Sequence, residues 1–129
     1  MGLSIQDVIR KLGVAVIVGE FDGPGYYIPE WNAIFIDQSL DEVQHKVVLL
    51  HELGHAAKQR DEYCLYQATM TMKAKMEYGA NRFMIHYLFS HYILVTGDDP
   101  YSVNYLEFMR QNDIPSRDEN IVKEVIANY

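Results

Sequence analysis

Apolar and polar positions along this chain follow two periods, and the change from one to the other divides it. Between residues 4 and 13, Val8, Ile9 and Leu12 share one helical face. Ser4 stands as cap with Asp7 at the third helical position, and Gly13 is the stop, so a short amphipathic helix is predicted. The unbroken apolar run of residues 14–18 predicts a buried strand, and residues 19–25, with Asp22-Gly23-Pro24-Gly25, carry turn chemistry. Residues 26–28 and 33–37 are β-prone runs separated by Pro29, Glu30, Trp31 and Asn32. The front third therefore reads as a small antiparallel sheet.

From there the period is helical. Ser39 followed by Glu42 forms a capping-box pattern, which starts a helix near Leu40 and carries it to about Arg60. Residues 61–71 give no clean period and stay open between polar connector and loose helix. Residues 72–92, with Met76, Ala80, Phe83, Met84, Tyr87 and Leu88 at three- and four-residue spacings, predict a second long helix packed on the first. After a break at residues 95–99, Asp99 and Pro100 open a helix carrying Val103, Leu106, Phe108 and Met109 to about Gln111. Ser116 and Glu119 repeat the capping pattern before a last helix over residues 117–127, with Ile121, Val122, Val125 and Ile126 as its stripe.

The pattern gives an α+β fold, mostly helical, with its sheet at the N-terminal end. With 129 residues and no linker or repeat, residues 1–129 read as a single domain. Composition narrows the function. An apolar content of 49% beside 22% charged residues suits a soluble protein, and no apolar run nears the ~18 residues of a membrane span. Residues 1–11 lack a signal-peptide pattern, and Gln6 stands where a myristoylated Gly2 would need Ser or Thr. A cytoplasmic location is the expectation. The net charge of −7, with no basic cluster beyond Lys73 and Lys75, argues against direct nucleic-acid binding.

Cys64 is the only cysteine, so an internal disulfide and a cysteine-rich zinc module are both excluded. Any metal here must take nitrogen and oxygen ligands. His51-Glu52-Leu53-Gly54-His55 meets that need inside the apolar run Val47, Val48, Leu49, Leu50, Leu53, Ala56 and Ala57. On a helix the two histidines lie one turn apart and can reach one zinc ion, while Glu52 projects beside it as a general base for a water molecule. The bland alternative, a chance pair of packed histidines, has to bury two imidazoles and a carboxylate without a partner, which is costly.

A catalytic zinc takes a third protein ligand and leaves a fourth position open. Glu77 is favoured because it sits in the first turns of the otherwise apolar second long helix; Asp61 and Glu62 are its rivals, in polar surroundings. The competing reading of Glu77 is a solvated residue paired with Lys73, four positions earlier. Asn81 is a candidate donor to the Glu77 carboxylate. His45, His86 and His91 read as packing or surface residues. Tyr63, Tyr66, Tyr78 and Tyr92 are candidate oxyanion donors that sequence alone does not rank.

The segments His51-Glu52-Leu53-Gly54-His55 and Glu77-Tyr78-Gly79-Ala80-Asn81-Arg82-Phe83 together resemble the ImmA/IrrE family of metallopeptidases, through H-E-L-G-H and E-x-x-A-N-x-F. The strand Ile34-Phe35-Ile36-Asp37 and the tail around Leu106-Glu107-Phe108-Met109 are similar to small prophage members. The resemblance implies a zincin-like domain with zinc ligands at His51, His55 and Glu77 and Glu52 as catalytic base. It also implies a protein partner, a transcriptional repressor of a mobile element that is cut or otherwise inactivated. Set against larger relatives, a chain lacking a helix-turn-helix segment in front and a sensory domain behind is the expectation. A non-proteolytic antirepressor, using zinc for structure, is the alternative; an intact Glu52 speaks against it. The strand at residues 33–37, just before the zinc helix, is expected to offer a free edge to an extended substrate.

Overall fold

In the computed structural model of the chain, which describes residues 3–129, strand β3 (Ala33–Asp37) lies between β1 (Ala15–Gly19) and β2 (Gly25–Ile28). Gly2, and with it the myristoylation pattern, lies outside the described residues. The sheet is mixed. β2 runs antiparallel to β3, as expected, but β1 runs parallel to it, with Ile17 opposite Phe35. The cause is the place taken by β3: Ile34 and Ile36 are wholly buried, and the strand carrying them sits centrally. β1, expected to be buried, is instead an edge strand with Ile17 and Val18 exposed. β3 is paired on both sides, which ends the expectation that it offers a free edge; the sheet edges belong to β1 and β2.

Backbone contacts divide the chain into two compact units, Met1–Glu77 and Tyr78–Tyr129. In the first, helix α1 (Ile5–Leu12) has the predicted Ser4–Asp7 capping box and ends at Gly13, whose φ of 62° suits glycine. Asn32, also left-handed, donates through Nδ2 to the carbonyls of Leu12 and Gly13 and accepts from the Tyr27 hydroxyl, fastening α1 to the sheet. The core is Val8, Leu12, Val14, Ile34, Ile36, Leu49, Leu53, Ala56, Ala57 and Leu65, contributed by α1, the sheet, helix α2 (Glu42–Gln59) and helix α3 (Tyr63–Thr96). The stretch 63–71, open from sequence, is the start of α3. Its contact with α2 is made at Gly54, where an added Cβ would lie 2.6 Å from Met70 and 3.4 Å from the Thr69 hydroxyl.

The second unit takes up α3 from Tyr78 and adds α4 (Tyr105–Gln111) and α5 (Glu119–Ala127) around Ile85, Phe89, Phe108, Met109, Val122 and Val125. Asp99 and Pro100 start only a 3-10 turn, and Asn104 caps α4. Ser116 likewise opens a 3-10 turn before α5, without a side-chain cap. No helix among the described residues is long and apolar enough to cross a membrane.

Candidate metal centre

Everything in the centre depends on α2. Its cap is Asp41, with Gln44 closing the capping box, rather than Ser39 with Glu42. The Ser39 hydroxyl is taken by the Asp37 carboxylate at the end of β3, so the next acceptor along the chain starts the helix two residues later. Leu49, Leu53, Ala56 and Ala57 then face the core, which leaves Glu52, His55 and Gln59, at helical spacing, along one flank of the helix.

His51, Glu52 and His55 form the one group among the described residues whose ligand atoms lie close enough, within 4.8 Å of one another, to hold a metal ion. Their settings differ. Both histidines are exposed, while Glu52 is 8% exposed. The rings stand edge to face, interplanar angle 89°, with their Nε2 atoms 3.1 Å apart. Two nitrogens at corners of a tetrahedral zinc site, each ~2.0–2.1 Å from the ion, are separated by about 3.3 Å. The spacing of the pair therefore suits zinc.

Beside the group lies an open groove of ≈ 450 Å³, walled by Glu52, His55, Lys58 and Gln59 of α2 and by Tyr26, Tyr27 and Pro29 on the opposite side. β2 reaches this position because Gly25 allows it: a Cβ there would stand 2.6 Å from Val48 Cγ1 and 3.0 Å from the Phe35 carbonyl oxygen. These groove-wall residues escaped the sequence reading. Their signal was non-local, since only the strand order brings β2 to the face of α2 that carries Glu52.

The structure does not bring Glu77 into the group. Its carboxylate pairs with Lys73 Nζ at 3.0 Å, the competing arrangement weighed from sequence. Asp61 and Glu62 are exposed and line a separate cavity of ≈ 190 Å³ with Lys58, Tyr63 and Tyr66. Tyr78 donates to Glu124, whose carboxyl is thereby held below the usual range, and Tyr92 meets Phe108 edge to face. The tyrosines at the groove are Tyr26 and Tyr27 instead, and the Tyr27 hydroxyl is engaged by Asn32. His45 is half-buried, and His86, His91 and Cys64 are exposed, all outside the group; Asn81 belongs to the second unit.

Compared with known families, residues 9–99 match the M78 peptidase family, described as the IrrE N-terminal-like domain. No curated protein and no solved structure matches the chain.

Proposed function

The chain belongs to the M78 peptidase family, and from that premise we propose that it is a zinc-dependent endopeptidase acting on a protein partner, a transcriptional repressor of a phage or mobile element. The observation that carries the reading is the juxtaposition of His51, His55 and the buried Glu52, of which Glu52 and His55 line a groove. In this reading His51 and His55 hold the zinc, and Glu77 supplies the third ligand by turning from Lys73. Glu77 and Lys73 are half-buried, and a helical i,i+4 ion pair of this kind is worth only about 0.3–0.5 kcal/mol, so leaving Lys73 costs Glu77 little. Zinc, when held there, supplies a Lewis acid that acidifies water and polarises a carbonyl.

The chain's own part is proton handling and positioning. Glu52 takes the proton of the attacking water and returns it to the leaving amine. Its near-complete enclosure keeps the carboxylate in one place beside the histidines. β2 is an edge strand forming the opposite wall, so an extended segment pairing with its backbone lies across from Glu52 and His55. The test is to incubate the zinc-loaded chain with the repressor encoded beside it. Discrete fragments that vanish with chelator and with His55→Ala support the reading; an uncut repressor under all conditions removes it.

A further inference from the structure

The sheet of the first unit has a second face. Ile34 and Ile36 point into the core, so Phe35 points the other way, and strand pairing sets Ile17 and Tyr26 on either side of it. Tyr26 stacks on Phe35 with centroids 5.3 Å apart, and Phe21 and Trp31 approach it edge-on at 5.4 and 6.1 Å. Phe21 is held there by its backbone N–H, which donates to Asp37 Oδ1 at 2.9 Å. The cluster is not core: Trp31 is 70% exposed, Ile17 42% and Tyr26 39%. Contiguous apolar patches of this kind mark interaction sites.

Glu20 and Asp22 flank Phe21 in the chain and line one cavity with it, and Glu30 precedes Trp31; all three are exposed and none has an ion-pair partner among the described residues. We propose that this face is a docking site for a basic protein segment, one that carries arginines between apolar residues. Aromatic planes accept guanidinium groups by stacking, and the carboxylates of the rim pair with the same cations. An acidic rim repels phosphate, which excludes nucleic acid and anionic lipid. It also repels a second copy of the same face. Tyr26 also borders the groove, although its ring lies on this face with Phe35. Binding of a segment seated on Phe35 and Trp31 stands whether or not cleavage follows.

Trp31 is the chain's only tryptophan, so its fluorescence reports this face directly. The experiment titrates a synthetic peptide of alternating Arg and Leu into the full chain carrying Glu52→Gln. A saturable shift in emission is expected, absent with a Glu/Leu peptide. Replacing the rim (Glu20→Gln, Asp22→Asn, Glu30→Gln) weakens binding at least ~10-fold, while a charge-matched set elsewhere (Glu62→Gln, Asp98→Asn, Asp113→Asn) changes it less than ~2-fold. Ile17→Ser, at an exposed edge position, also weakens binding with the circular dichroism unchanged. Equal losses from the two charge sets, equal binding of the acidic peptide, or a Trp31 shift produced by self-association without peptide each overturn the proposal. Repressor cleavage by the unmodified chain is scored separately, so failure here and failure of the peptidase reading are distinguishable.

Discussion

His51 and His55 hold their Nε2 atoms 3.1 Å apart, a separation set by one turn of α2 and already close to that of two ligands on a tetrahedral ion. The purified chain is therefore expected to hold about one zinc, read by metal analysis. His51→Ala or His55→Ala should weaken binding by at least ~10²-fold, and Glu77→Ala measurably, since it supplies the ligand of lower prearrangement. Zinc at ~100 times its Kd should add about 2.7 kcal/mol to stability, seen as a rise in Tm that chelation reverses. Full zinc occupancy in Glu77→Ala would place the third ligand elsewhere.

Gly25 brings β2 against α2. An alanine there puts Cβ 2.6 Å from Val48 and 3.0 Å from the backbone oxygen of Phe35, and the second of these cannot rotate away. Gly25→Ala should cost about 1–3 kcal/mol by overpacking, measured as a lower denaturant midpoint. Adding Val48→Ala should recover part of that loss, because it clears one of the two contacts. No destabilisation at all would mean that β2 stands farther from α2.

How much of this could be read from the chain depends on how local each signal is. The His51/Glu52/His55 group was legible because four residues along a helix fix a side-chain juxtaposition without reference to the fold. The α1 cap and the Gly13 stop were legible for the same reason. Strand order was not: residues 14–18 look like an inner strand, yet centrality goes to the strand whose side chains fill the core, Ile34 and Ile36. The groove wall of Tyr26, Tyr27 and Pro29 inherits that non-locality. The placement of Glu77 turns on which of two partners its carboxylate takes, and Lys73 at i−4 is the partner that local spacing supplies.

In the second unit, Glu107 accepts from Arg110 and Gln111, and these bonds, the Arg110 guanidinium above all, lower its carboxyl pKa from 4.5 to about 2. A folded-state pKa below the unfolded value means that the interaction supports the fold above pH ~4.5 and is lost as pH falls toward 2. An NMR titration should place the Glu107 midpoint near 2 in the native protein. Arg110→Ala should return it most of the way to the usual glutamate range. A midpoint near 4.5 in the unmodified chain would show that the pair does not persist in solution.

Glu52→Gln separates a peptidase from a protein that inactivates its partner by binding alone. The change keeps size and helix propensity, and Glu52 is the group's base rather than a zinc ligand in the proposed mechanism, so zinc content and fold should survive. Loss of the base should slow cleavage of the partner repressor by at least ~10²-fold while binding persists, producing a trapped complex. Derepression in cells and repressor fragmentation on a gel, measured side by side for both chains, read the two activities independently. A peptidase loses both together. If Glu52→Gln derepresses fully while the repressor stays intact, proteolysis is not the means of action, and the buried carboxylate beside His51 and His55 serves the structure of the site instead of its chemistry.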